Sequence, residues 1–213
     1  MTRVLMIRHG QSLANVQRFF AGHLNSPLTD LGVEQAQLAA GYIHQNYTVD
    51  RVYASDLDRA YVTGKAVADL YGLPVTADRR LREISAGDWE GVLYDELPNR
   101  FPASYGVWLH DIGNAVSDCG ESVAMLQQRV CDAMGDICVA NPDKTVVVAT
   151  HATPIRAFQC FCEGRALSTM KDIPWVSNAS ISSFVYDNGN FEIESISYEG
   201  HLGQLKSVLP RNC

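Results

Sequence analysis

Nowhere does this sequence stay apolar for the roughly 18 residues that a membrane-spanning helix needs, so no transmembrane helix is expected. The start, Met1-Thr2-Arg3-Val4-Leu5-Met6-Ile7-Arg8, returns to charge after four apolar residues. That run is too short for a signal-peptide core, and a cytoplasmic protein is expected. The six cysteines (Cys119, Cys131, Cys138, Cys160, Cys162, Cys213) include no C-x-x-C pair. Without an export signal a disulfide framework is not expected, and the bland reading is reduced thiols in apolar helical stretches. Basic residues are in deficit: 17 Lys and Arg against 24 Asp and Glu give a net charge of −7. That balance argues against a nucleic-acid partner, which calls for a basic face. It leaves room for an anionic small molecule, because a few buried Arg and His residues make a positive pocket inside an acidic shell. The histidines form no H-x-H or H-x-x-x-H pair and no carboxylate cluster joins them, so no metal ligand set is read. There is no internal repeat, no low-complexity tract and no linker.

What is present suits one folded unit. The 213 residues suffice for one well-buried core and are short for two, so residues 1–213 are read as a single domain. With 46% hydrophobic and 19% charged residues the chain falls in the ordinary globular class. Three short apolar runs, Val4 to Ile7, Val52 to Ala54 and Thr145 to Ala149, read as buried parallel strands. Each leads through a polar turn into a helical pattern. A short helix starts at about Ser12. Thr29 is the expected N-cap of a helix to about Gln45, with Leu31, Gln35, Leu38 and Tyr42 stepping along it. Ser55-Asp56-Leu57-Asp58 fits a capping box opening a helix to Tyr71. Thr153-Pro154 reads as N-cap and first residue of a helix to about Cys162. Gly120 to Ala140 holds another, with Val123, Leu126, Val130, Met134 and Ile137 at helical spacing and Asn141-Pro142 as its stop. Ile181 to Tyr186 and Phe191 to Ile196 flank Asp187-Asn188-Gly189-Asn190, a hairpin signal. A strand is also expected around Val75. The expected fold is a three-layer α/β/α sandwich with a mostly parallel sheet and an antiparallel edge. Residues 84–119 have weak periodicity and read as an excursion from the sheet, a small inserted cap. Its Trp89, Tyr94, Phe101, Tyr105 and Trp108 suit either a substrate-selective lining or core packing.

The chemistry gathers at strand ends. The first strand runs into Arg8-His9-Gly10-Gln11-Ser12 and the third into Thr150-His151-Ala152. In an open parallel sheet the ligand crevice lies at the carboxyl ends of the strands, so both histidines reach one rim. Arg59, in the first turn of the helix after the second strand, reaches it too, and helix N-termini there add N–H donors. Such a cationic pocket suits a tetrahedral phosphate. Neutral imidazole is a competent nucleophile at phosphorus, and Arg8 beside His9 favours that form. Arg8, Arg59 and a protonated His151 can neutralise the transferring group. The nearest candidate to protonate the leaving alkoxide is Glu83. Each residue has an ordinary alternative: His151 as a structural histidine, Glu83 as a surface carboxylate, Arg59 as a solvated side chain or a partner of Asp56.

Taken together, these residues resemble the histidine phosphatase superfamily, the group that includes cofactor-dependent phosphoglycerate mutase. The likeness rests on six ordered motifs over nearly the whole chain. They are Arg8-His9-Gly10-Gln11-Ser12 with Asn15; Pro27-Leu28-Thr29 with Gly32 and Gln35-Ala36; Ser55-Asp56-Leu57 with Arg59-Ala60 and Thr63; Leu81-Arg82-Glu83 followed by Gly87-Asp88-Trp89-Glu90-Gly91; Gly120-Glu121-Ser122; and Thr150-His151. The resemblance implies His9 as the phosphorylated nucleophile with His151 as its partner, and Glu83 as proton donor. It implies a phosphate-binding set of Arg8, Asn15, Arg59, His151 and Ala152, with no cofactor and no metal. Ala152-Thr153 stands where the acid-phosphatase and phytase branch has His-Asp, which implies the mutase-side branch. Gln11 and Asn25 depart from the family pattern and imply changed substrate contacts. Ile84-Ser85-Ala86-Gly87-Asp88 replaces the cation-bearing segment that follows the acid in the mutases. Between Glu83 and Asp118 the only basic side chains are Arg100 and His110. The expected activity is therefore hydrolysis of a small phosphorylated metabolite. A phosphoglycerate mutase is the runner-up, followed by a catalytically silent phosphate-binding regulator and a metal hydrolase. Substrate identity and oligomeric state are left open.

Overall fold

The computed structural model describes residues 1–207; Cys213 lies outside the described residues. In chain order the elements are β1 (Thr2–Arg8), α1 (Leu13–Gln17), α2 (Asp30–Asn46), β2 (Arg51–Ala54), α3 (Asp58–Tyr71), β3 (Val75–Ala77), α4 (Leu97–Arg100), α5 (Pro102–His110), α6 (Val123–Val139), β4 (Thr145–Thr150), α7 (Ala152–Cys162), β5 (Ile181–Asp187) and β6 (Asn190–Tyr198). The strands form one six-stranded sheet in the order β3-β2-β4-β1-β5-β6. The pairs β3–β2, β2–β4 and β4–β1 are parallel. The antiparallel edge is the hairpin β5–β6, joined through Asn188-Gly189, both at positive φ, as a tight primed turn requires.

Three layers follow from the alternation of side chains along each strand. Val4 and Met6 of β1, with Val146 and Val148 of β4, face the core that α6 and α7 cover. Leu5, Ile7 and Val147 face the other core, covered by α2 and α3. These strands are apolar on both faces because both faces are covered. All five apolar positions read for α6 are buried. On α2 the buried stripe is Gly32, Gln35, Ala36, Ala39, Ala40 and Ile43, so Leu31, Leu38 and Tyr42 flank it. Small residues take the centre because α2 packs closely against α3 and the sheet.

Two helix starts differ from expectation. Ser55 does not open α3: its hydroxyl accepts from Leu57 N–H and is shared with His151, and the helix begins at Asp58 behind Leu57. Asn25 supplies the cap instead, its Oδ1 accepting from Asp58 N–H at 2.9 Å. Asn25 is exposed and is not among the residues lining the cavity described below. On α7 the N-cap is His151, not Thr153, because the helix starts as soon as the strand ends.

Residues 84–119 add no strand to the sheet, and their aromatic side chains divide. Trp89, Tyr105 and Trp108 are buried in the same core as Val4 and Met6. Tyr94 and Trp108 also line the cavity described below. The five described cysteines are free thiols: Cys138 and Cys160 are buried, Cys131 and Cys162 half-buried, Cys119 exposed. Burial pushes the Cys131 and Cys138 thiols up to about 12, which leaves them protonated and inert. Among the described residues no helix is long and apolar enough to cross a membrane.

Candidate active site

The site begins where β1 and β4 end. Arg8 and Thr150 are register partners, and the next backbone step, His9 N–H to Thr150 O at 2.9 Å, carries the pairing one residue further. From there β1 leads towards α2 on one face of the sheet and β4 enters α7 on the other. Neighbouring strands whose connections part in this way leave a crevice at their carboxyl ends. His9 and His151 meet in it, ring centroids 5.1 Å apart at 62°. A cavity of about 90 Å³ opens here, lined by Arg8, His9, Asn15, Arg59, Glu83 and Ala152 among others. His151, fully buried, sits behind His9 rather than on the cavity wall.

The local structure selects the state of His9. Its Nδ1 lies 2.7 Å from the carbonyl oxygen of Gly10. A carbonyl only accepts, so Nδ1 carries the proton and Nε2 the lone pair. Gly10 cannot be larger: a Cβ there would stand 2.2 Å from the carbonyl oxygen of Gly32. Gly10 N–H donates to Thr63 Oγ1, whose hydroxyl donates to Arg59 O, and Asn178 Nδ2 donates to His9 O. Burial, then the Arg59 and Arg8 charges, hold His9 well below the usual imidazole range. His151 is held down as well, by burial first and then by Arg59 and its neighbours. Burial and the Arg59, Arg129 and Arg8 charges thus oppose a positive charge on His151, whereas the protonated form is expected of it only beside the transferring phosphoryl group.

These shifts predict a pH response. Below pH 6.5 the unfolded chain takes up protons on His9 and His151 that the folded protein refuses. Stability therefore falls as the pH drops below about 6.5 and is unaffected by these two groups above it. Thermal melts of wild type and a His9→Asn, His151→Asn double variant from pH 7.5 to 5.5 check this, the variant showing the shallower decline.

Arg59 is 1% exposed and donates to Leu24 O at 2.9 Å and Gly22 O at 2.8 Å. Burial brings it down to about 10, so it stays charged at neutral pH. It does not pair with Asp56, which takes a bidentate bond from Arg82 at 2.6 Å on each arm. Arg8 donates to Val176 O at 2.5 Å. Asn15 Oδ1 accepts from Ser12 N–H, Ser12 Oγ–H and Asn178 Nδ2, so the amide nitrogen is what Asn15 can offer a ligand. Glu83 is half-buried; one carboxylate oxygen accepts from Ile84 N–H at 2.8 Å, the other from Thr153 N–H of α7 at 3.4 Å. Its backbone is clamped, because Arg129 donates to the carbonyls of Arg80, Arg82 and Glu83 while pairing with Glu121. Glu121 also accepts from Ser85 N–H. Glu90 accepts from the backbone N–H groups of His23 and Ala86 and is not on the cavity wall. It braces the loop.

The sequence pointed to His9, Arg8, Arg59, Asn15, Glu83, Ala152 and His151, and the structure brings all seven to one crevice. It adds Phe20, Trp175 and Asn178 to the wall and Ser55 and Arg129 behind it. Trp175 and Asn178 lie in an irregular stretch with no periodicity to flag them. Ser55 belongs to the Ser55-Asp56-Leu57 motif, whose local pattern predicts only a helix cap. Arg100 and His110 are exposed and not on the cavity wall. Among the described residues no group of three or more His, Cys, Asp or Glu is placed to hold a metal ion.

The profile of the histidine phosphatase superfamily (branch 1) matches residues 4–199. The chain belongs to that superfamily. It is 29% identical over 205 residues to phosphoserine phosphatase 1 of Hydrogenobacter thermophilus, covering 96% of each chain. It is 30% identical over 202 residues to phosphoglycerate mutase-like protein 4 of Arabidopsis thaliana, covering 93% of this chain and 86% of the other. The solved structure of Bacillus stearothermophilus YhfR superposes with a TM-score of 0.91 at 26% identity, over 95% of this chain and all of that one. The superfamily and these relatives indicate a phosphatase-type enzyme, and the mixed, mostly parallel sheet between helices is the superfamily's α/β fold.

Proposed function

We propose that this chain is a metal-independent phosphomonoesterase that forms a phosphohistidine at His9. The observation that carries the reading is the placement of His9: its Nδ1 lies 2.7 Å from Gly10 O, on a cavity wall shared with Arg8, Arg59 and the Glu83 carboxyl group, where burial and the two guanidinium charges favour the neutral imidazole. The ester's phosphate enters between Arg8 and Arg59, with the amide of Asn15 and the first turn of α7 at Ala152 supplying further donors. His9 Nε2 attacks phosphorus as the bond to the ester oxygen breaks. The acid form of Glu83 gives its proton to the departing alkoxide. The imidazole is then cationic, and Gly10 O, already accepting from Nδ1, stabilises that charge. Water enters where the alcohol left. Glu83, now a carboxylate, takes a proton from it as it attacks phosphorus and the N–P bond breaks. Orthophosphate leaves and Glu83 is again protonated. His151 Nδ1, buried without a hydrogen-bond partner among the described residues, is satisfied by a phosphoryl oxygen when the group is bound.

A mutase must clamp a second anionic group and exclude water while the phosphoenzyme waits. Among the described residues the cavity's cationic side chains are Arg8 and Arg59, both spent on one phosphate. That favours hydrolysis. With 3-phosphoglycerate as substrate, free phosphate is expected to appear without 2-phosphoglycerate, with no stimulation by 2,3-bisphosphoglycerate and no loss of rate in EDTA. Parallel enolase-coupled and phosphate-release assays decide it: 2-phosphoglycerate accumulating faster than phosphate makes the enzyme a mutase.

A further inference from the structure

We propose that the substrate is a monophosphate ester of an uncharged, apolar or aromatic alcohol rather than of a carboxylate-bearing one; this rests on the phosphatase reading above. Beyond the phosphate end, one side of the cavity is a continuous wall of four rings. Tyr94 meets Phe20 at 5.8 Å, Phe20 meets Trp108 at 5.2 Å, and Trp108 meets Trp175 at 6.3 Å between centroids. All four line the cavity.

The wall is held in place from behind. Phe20 packs edge-on against the buried Trp89 at 5.5 Å. The strips carrying Phe20 and Tyr94 are tied by Phe20 N–H to Val92 O, Gly91 N–H to Phe20 O and Tyr94 N–H to Arg18 O. The guanidinium of Arg156 stacks on the Trp175 ring at 3.9 Å and is anchored to the carbonyls of Met170 and Ile173. Rings fixed in this way present area to a ligand at little entropic cost.

Charge points the same way. Among the described residues the cavity's charged side chains are Arg8, Arg59 and Glu83. Arg18 pairs with Asp95 and Arg100 with Glu96, and neither lines the cavity. A carboxylate on the alcohol would be desolvated against aromatic rings without a counter-charge, and it would approach the Glu83 carboxyl group that must serve the ester oxygen. An aryl or alkyl group loses nothing there and gains the burial of its apolar area.

The test compares benzyl phosphate with O-phosphoserine and 3-phosphoglycerate on the full chain. All three leave as alkoxides, so a preference reports binding rather than leaving-group chemistry. We expect kcat/KM for benzyl phosphate to exceed both others by about tenfold or more. Trp175→Ala, at a half-buried position, is expected to shrink the ratio of benzyl to methyl phosphate kcat/KM by about fivefold or more. Either carboxylated ester matching or exceeding benzyl phosphate overturns the inference and leaves the phosphatase reading standing, as does a ratio unmoved by Trp175→Ala in a variant that melts normally. No phosphate release from any ester, p-nitrophenyl phosphate included, overturns both.

Discussion

Replacing His9 with alanine is expected to lower turnover of every phosphate ester by roughly 10³-fold or more, since the variant lacks the imidazole that takes the phosphoryl group. Binding survives, because Arg8 and Arg59 are held by backbone carbonyls rather than by His9. The fold survives as well. The imidazole contributes one hydrogen bond to Gly10 O, worth about 1 kcal/mol or about 2–4 °C of melting temperature in a protein of this size. Rapid mixing of wild type with labelled substrate and a basic quench should trap a phosphoryl adduct that is stable to base, labile to acid and mapped to His9. A label on a serine or aspartate, or near-native rates in His9→Ala, removes the mechanism.

Glu83→Gln should separate two classes of substrate. An alkoxide leaves poorly without a proton, so alkyl phosphates are expected to slow by about 10²–10⁴-fold. Nitrophenolate leaves unaided, and p-nitrophenyl phosphate should slow by no more than about tenfold. The amide keeps the geometry, since its oxygen can still accept from Ile84 N–H as the carboxylate does. Glu90 does not take over, being committed to the N–H groups of His23 and Ala86. Equal losses on both substrates would mean that Glu83 binds the ester rather than protonates it.

Much of this architecture can be read from the order of residues because it rests on local chemistry. Three apolar runs, each ended by a polar turn and followed by a helical pattern, specify parallel strands between two helical layers, and the Asn188-Gly189 turn specifies the hairpin. The positions just after β1 and β4 can only lie at the carboxyl rim of the sheet. His9, Arg8 and His151 were therefore legible as a site before any packing was known, and Arg59 followed from its place in the first turn of α3. What the chain does not announce locally is decided by contacts between distant segments. Ser55 looks like a helix cap until β2 and β4 pair and bring His151 Nε2 within 2.8 Å of its hydroxyl. Arg129 looks like an ordinary helix-surface charge until it reaches three carbonyls of the 80–83 segment and holds Glu83 at the cavity. Nor does the local sequence show that burial and the charges of Arg59, Arg129 and Arg8 oppose a proton on His151. The aromatic residues show the division most plainly. Composition could not say whether Trp89 and Trp108 were core or cavity wall, because a ring buries the same area in either place. Only the packing puts Trp89 behind Phe20 and leaves Trp108 lining the cavity.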